Sequence, residues 1–466
     1  MEKAEKTLKT RKKMNQREFL YICARGDYDE VEAAIENGAS VNRRAKFQGA
    51  SVPPLFVAVM EKNPDAIETL LAYHAKEFPA FMAAMIMEDK KMLEYLVCIC
   101  ADINCKDQNK RTPLLCAVMA NKTKIVKWLV ELGADVNMPV GLGYSVLTYA
   151  ALMYDEENNE QPDPEIIKIL MNAGADYREA MLTAIKTNNV DFARLLIQNG
   201  ADINRPYTMN QSPLSLAILN IQYSRDKALP MIEFFIEQGA NVNEILDLSH
   251  DDDINEDNPP IFTTNINVAI SMESDKCLEL LLRNGANPNF IDSKGRTPLM
   301  YAVLTGLSTV EILLNYGADP NLGDLEGRTP LTLAVIDSDV EEGVIKTLLE
   351  HGANPNIRDN SGFTPLTWAV NDRDRSPEFF IAALIRTGAI RAEKGAEWYG
   401  LAILFNALRR EMQLDTIQLL VNYGADVTIP DKKGVTALAW AVMNFDDEIT
   451  DILQKAAESK TNKNQE

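Results

Sequence analysis

The feature that most limits what this chain can fold into is a Gly-Ala pair that recurs at Gly38, Gly133, Gly174, Gly200, Gly239, Gly285, Gly317, Gly352, Gly388 and Gly424. His74-Ala75 and Cys100-Ala101 hold the same place in two further copies. Successive steps are 36, 26, 33, 41, 26, 39, 46, 32, 35, 36 and 36 residues. Self-similarity at such a period means that one supersecondary unit is stacked many times, because a single unit cannot bury its apolar face alone. Each pair closes an amphipathic run such as Val310-Glu-Ile-Leu-Leu-Asn-Tyr-Gly317, whose apolar residues fall three and four apart on one helical face. Glycine follows because a helix commonly ends on a left-handed residue, a conformation that costs other residues about 1–2 kcal/mol.

After each terminator come Asp or Asn and a short turn, then Gly-x-Thr-Pro-Leu: Gly295-Arg-Thr-Pro-Leu299, Gly327-Arg-Thr-Pro-Leu331 and Gly362-Phe-Thr-Pro-Leu366. Weaker versions stand at Thr112-Pro-Leu114, Ser212-Pro-Leu214 and Thr436-Ala-Leu438. The hydroxyl caps a new helix, and Pro suits the first helical position, where the missing N–H had no partner. Leu then begins the buried face, and Ala302, Ala334, Ala369 and Ala441 let neighbouring helices approach closely.

On these residues the chain resembles the ankyrin-repeat family over about residues 15–457. The resemblance implies an all-α solenoid of some thirteen helix pairs joined by short β-turn or hairpin loops. It departs from the family in one consistent way: the histidine that follows Thr-Pro-Leu is replaced by Leu115, Ser215, Met300, Thr332, Thr367 and Ala439. That removes a hydrogen bond which helps to hold the loop in the family.

The array has irregular places. The two 26-residue steps leave no room for a turn, so Phe78-Pro-Ala-Phe-Met and Tyr177-Arg-Glu-Ala-Met run straight from terminator to helix. Acidic insertions near 154–164 and 244–260 read as solvated loops. Asp251, Asp253, Asn255 and Asp257 suggest a calcium loop, but the Gly and Glu of an EF-hand are missing from the sixth and twelfth positions. Residues 1–14 form a basic arm expected to be disordered, and 458–466 a disordered tail. The terminal units act as polar caps.

Charge narrows the partners. The net charge is −21, and residues 1–20, with seven Lys/Arg against three Glu, leave −25 in the remainder. Such a surface repels phosphate backbones, so nucleic acid and anionic membrane are disfavoured and a protein with a basic surface is favoured. No apolar stretch reaches the length of a membrane span or a secretory core, which points to a cytoplasmic protein. Cys98, Cys100, Cys105 and Cys116 lack paired metal spacing and read as reduced, mostly buried thiols, and Met82, Met85, Met87 and Met92 as core. No cofactor, metal or catalytic constellation emerges: His74 and His351 sit in or beside terminators, His250 in an acidic loop, and Gly141-Leu-Gly143 is no nucleotide fingerprint.

What remains is surface, and the expected function is a non-enzymatic protein-interaction module, monomeric on its own. In the resembled family, partners bind along the side formed by the turn tips and first helices. That implies contact by Ser293, Lys294 and Arg296, by Leu325, Glu326 and Arg328, by Asn360, Ser361 and Phe363, and by Lys432 and Lys433. On the first helices, Tyr301, Leu333, Trp368 and Trp440 recur at one repeat position, where they either meet a partner or fill gaps between repeats. Three versions of the role stay open: a scaffold, an antidote to a basic toxin or nuclease, and a microbial effector that engages host proteins. An enzyme with its site in an insertion is the remaining alternative.

Overall fold

The computed structural model describes residues 14–153, 162–207, 211–247, 262–337, 339–371, 404–405, 407–409, 414–422, 425, 427–428, 430, 433–444 and 447–463. The basic arm through Lys13, the insertion segments 154–161 and 248–261 with His250, the terminators Gly388 and Gly424, Lys432 and the last three residues lie outside them.

The chain divides into two compact units, residues 1–203 and 204–466. The first stacks six helix pairs: α1 (Gln16–Arg25) and α2 (Tyr28–Glu36), α3 (Pro54–Met60) and α4 (Pro64–Ala72), α5 (Phe78–Ile86) and α6 (Lys90–Cys98), α7 (Pro113–Met119) and α8 (Thr123–Glu131), α9 (Val146–Leu152) and α10 (Pro164–Asn172), α11 (Arg178–Thr187) and α12 (Val190–Gln198). A hairpin of β1 (Ala45–Phe47) and β2 (Ala50–Val52) forms one turn tip, with Ala45 opposite Val52.

The second unit continues with α13 (Pro213–Leu219), a short α14 (Ile221–Ser224) and α15 (Leu229–Glu237). Next come α16 (Asn265–Ser271) and α17 (Asp275–Arg283), α18 (Pro298–Thr305) and α19 (Leu307–Asn315), α20 (Pro330–Ile336) and α21 (Glu342–Glu350), α22 (Pro365–Asn371), α23 (Leu414–Asn422), and α24 (Ala437–Asn444) with α25 (Asp447–Lys463). Within each unit, first helices pack on first helices and second on second, as α7 on α9 and α18 on α20. The all-α repeat architecture read from the sequence is therefore present. The four spacing alanines are buried, as are Leu114, Leu214, Leu299, Leu331 and Leu366.

The terminators adopt the left-handed backbone: φ is +86° at Gly317 and +88° at Gly352. His74 (φ +59°) and Cys100 (φ +64°) hold the same conformation without being glycine, so the helix ending is dictated by the repeat and the glycine only eases it. Most of the described terminators are then gripped by an asparagine of the preceding repeat. Asn289 donates from Nδ2 to the Gly317 carbonyl (3.1 Å), and its Oδ1 accepts from the Asp319 amide (2.7 Å). Asn321 does the same to Gly352 (3.1 Å) and Asn354 (2.7 Å), Asn243 to Gly285 and Asn287, and Asn137 to Gly174 and Asp176. In the two shortened steps the asparagine is missing with its turn. There the Glu77 carboxylate accepts from the Asp102 amide (3.0 Å), and the Tyr177 hydroxyl accepts from the Asp202 amide (3.2 Å).

The cap hydroxyls act as expected. Thr112, Ser145, Ser212, Thr329 and Thr364 accept from the amide three residues on. Thr297 is the exception, with its hydroxyl buried and unpartnered. The missing family histidine is partly made good, since Thr148, Thr332 and Thr367 pair their own hydroxyls with the cap hydroxyl.

Four expectations need correction. Cys98 and Cys100 are exposed and Cys105 and Cys116 half-buried, because Cys98 ends α6, Cys100 is its terminator, Cys105 lies in a turn and Cys116 sits on a partly open flank of α7; only Cys23 and Cys277 are buried. Met85 is buried, but Met82, Met87 and Met92 are half-buried, since helices only three turns long leave one flank open. The insertion at 244–260 is not all loop: β3 (Ile245–Asp247) pairs antiparallel with β4 (Phe262–Thr264), and Leu246 between them is fully buried. The residues 458–463 assigned to a disordered tail continue α25, whose Gln-Lys-Ala-Ala-Glu run favours helix and meets no glycine stop.

Two outcomes are expected. Removing one clamp by Asn321→Ala leaves a backbone carbonyl and amide unpaired and lowers unfolding free energy by about 1–3 kcal/mol in urea titration. Burial pushes the Cys23 and Cys277 thiols up to about 12. A thiol reagent at pH 8 should therefore modify Cys98 and Cys100 in the native protein and reach Cys23 and Cys277 only on denaturation.

Candidate functional site

Three turn tips of the second unit are built around one aspartate each. The buried Asp292 accepts from the amides of Lys294 (2.9 Å) and Arg296 (2.8 Å), so its carboxylate closes the turn from within. Asp324 accepts from Glu326 and Arg328, and Asp359 from Ser361 and Phe363, in the same pattern. Asp107 repeats it in the first unit with Asn109 and Arg111. The second carboxylate oxygen reaches a side chain of the same repeat: the Tyr301 hydroxyl donates to Asp292, Trp368 Nε1 donates to Asp359 (2.7 Å), and Arg328 Nε donates to Asp324 (2.9 Å). Burial and the Asp292 carboxylate together push the Tyr301 phenol up to about 12.

These staples decide how the residues singled out from the sequence are deployed. Ser293, Lys294, Leu325, Glu326, Asn360 and Ser361 are exposed at the tips, and Leu325 is 66% exposed. Tyr301, Leu333 and Trp368 are half-buried on α18, α20 and α22 at one register position. Tyr301 and Trp368 support their own tips, with the Arg296 guanidinium 5.8 Å over the Tyr301 ring and Phe363 edge-on to Trp368 at 5.4 Å. Lys433 is exposed and Trp440 half-buried.

Neighbouring tips are also joined. The Ser293 hydroxyl accepts from the Phe262 amide (3.2 Å). A Cβ on Gly295 would lie 2.7 Å from Leu325, so glycine there lets the next tip close over it. Asn360 donates from its amide to the Glu326 carbonyl (2.8 Å) and from Nδ2 to the Leu325 carbonyl (2.9 Å). The tips between residues 262 and 363 thus form a ledge joined partly by hydrogen bonds and partly by close packing. Beside it a groove of about 450 Å³ is lined by Arg296, Leu304, Leu333, Ile336, Asp337 and Asp339.

Sequence reasoning found the exposed tip residues but missed the aspartates that shape them. The signal was present as Asp292, Asp324 and Asp359, each three residues before the tip glycine. It also treated Gly141-Leu-Gly143 as inert. That stretch is a tight turn bridged between Val140 and Tyr144, in which a Cβ on Gly141 would collide with the Tyr149 hydroxyl. Among the described residues no cluster of His, Cys, Asp and Glu is arranged to hold a metal ion. No described helix is long and apolar enough to cross a membrane.

The comparisons with known proteins agree with this geometry. A family model described as ankyrin repeats matches residues 80–177, 152–245, 241–324 and 306–382. The chain is 24% identical over 253 residues, 48% of its length, to an E3 ubiquitin-protein ligase of Arabidopsis thaliana, covering 15% of that protein. It is 24% identical over 237 residues to an ankyrin repeat domain-containing protein of Myxoma virus, covering 47% of this chain and 44% of the viral one. Over 206 residues it is 28% identical to the human ankyrin repeat and SOCS box protein 6, covering 41% and 43%. The chain thus spans less than half the length of each of these relatives. Ankyrin repeats bind other proteins and are generally non-enzymatic, and with a repeat model matching well over half of its residues, this chain belongs to the ankyrin-repeat family.

Proposed function

We propose that this chain is a non-catalytic recognition module that binds a folded protein with a basic surface through the tip ledge and first helices of its second unit. The observation that carries this reading is the ledge itself: exposed Leu325 (66%) and Phe363 (36%) stand on turns fixed from within, beside a groove whose lining includes Asp337 and Asp339. Preformed turns that carry exposed apolar side chains contribute contact area without an ordering cost. Ser293, Lys294, Glu326 and Ser361 supply polar contacts at the rim, while Arg296, Arg328 and Asn360 act mainly by holding the ledge. Tyr301 and Trp368 serve from below as supports, Trp440 and Lys433 extend the surface toward the C-terminal repeats, and Lys432 is proposed as a contact from its place in the sequence alone.

The net charge of −21 speeds encounter with a cationic partner. The same charge favours an antidote to a basic toxin or nuclease over a neutral scaffold. The module acts in the cytoplasm, as a monomer until its partner arrives, and needs no cofactor.

The test is affinity purification with mass spectrometry on the wild type and on a Leu325→Asp, Phe363→Ala variant, whose changes sit on exposed side chains. The specific partner should be lost from the variant, with binding to the wild type weakened by salt. Recovery of the same partner by both proteins overturns the assignment of the ledge.

A further inference from the structure

The first unit carries a second surface of different chemistry. Met60, Ile86, Met119 and Leu152 occupy one register position, the last residue of the consecutive first helices α3, α5, α7 and α9. They are 37%, 61%, 41% and 48% exposed, although every one of these helices is otherwise a core element. Because those helices pack side by side, the four side chains form one apolar row. At about 8–10 Å per packed layer the row is about 30 Å long.

Two turn tips along this row, those of the α3 and α7 repeats, are cationic in a chain of net charge −21. Arg43, Arg44 and Lys46 are exposed on and beside the β1–β2 hairpin, and Lys110 is exposed on the tip of the repeat that contains α7. None of these four has an ion-pair partner among the described residues. The nearby carboxylates are already engaged: Asp107 by Arg111, and Glu77 by the Asp102 amide. On the other edge of the row, Lys62 pairs with Asp89 and Lys122 with Glu88, while Glu61 accepts from Gln48. A groove of about 450 Å³, whose lining includes Lys110, Leu115, Met119, Leu142 and Tyr149, opens where row and tips meet.

We propose that this face binds an acidic amphipathic helix of a partner protein, its apolar stripe on the Met60–Leu152 row and its carboxylates against Arg43, Arg44, Lys46 and Lys110. Spacing selects a helix: residues seven apart in an α-helix are about 10.5 Å apart along its axis, close to the layer repeat, so one apolar side chain per heptad meets each layer. A helix of about 20 residues spans the row. The inference goes beyond the reading given for the second unit and does not depend on it.

The experiment selects peptides of about 20 residues, long enough to span the row, from a random display library on the purified full chain. Winners are then measured by fluorescence anisotropy. The selected peptides should combine Asp and Glu with apolar residues at helical spacing. Their affinity should fall at least about tenfold with Ile86→Asp/Met119→Asp and with Arg44→Glu/Lys110→Glu, which replace exposed side chains. The Leu325→Asp, Phe363→Ala variant should bind them as the wild type does, and thermal melting checks that each variant is folded. Failure to select any binder, selection of basic peptides, or affinity that survives both first-unit variants overturns the proposal. Loss of binding only in the Leu325→Asp, Phe363→Ala variant would also overturn it, because it would move the peptide to the second unit.

Discussion

The grip of one repeat on the next depends on a side-chain amide that reads main chain. Asn289, holding both the Gly317 carbonyl and the Asp319 amide, satisfies two backbone groups that a helix ending would otherwise leave without partners. Without it, each helix pair would touch its neighbour only through apolar packing, which fixes distance better than register. Where deletions remove the asparagine, Glu77 and Tyr177 take over the amide half of the contact. A carboxylate and a phenol performing the same task on the same backbone position indicates that the geometry is imposed by the stack, and that residue identity follows.

The helices and their ends were legible because their causes are local. A hydroxyl followed by proline, an apolar spacing of three and four, and a glycine that can turn left-handed each act within a few residues. The clamps were not legible from Asn289 or Asn321 alone, since a lone asparagine in a turn has many possible partners about thirty residues away. The same holds for Cys98 and Cys100. Their burial was inferred from residue type, whereas it is set by where each falls, Cys98 at the exposed end of α6 and Cys100 in the terminator that follows.

The candidate site was half visible. That Leu325 and Phe363 would be exposed followed from their place beside the tip glycine. That Trp368 is tied to Asp359 could not be read, because the two residues are brought together by a turn whose shape the aspartate itself creates. The apolar row of the first unit escaped notice for a different reason. Met60, Ile86, Met119 and Leu152 belong to first helices so apolar throughout that a sequence pattern does not tell an outward residue from an inward one, and only the packing separates them.

The aspartate staples have a kinetic consequence. Loops shaped by their own carboxylates do not have to search for a bound form, so association at the proposed ledge should proceed by rigid docking, with the encounter rate set by diffusion and long-range charge. Differences in residence time among competing partners would then arise from how well each one fits over Leu325 and Phe363, and hardly at all from how quickly it finds them.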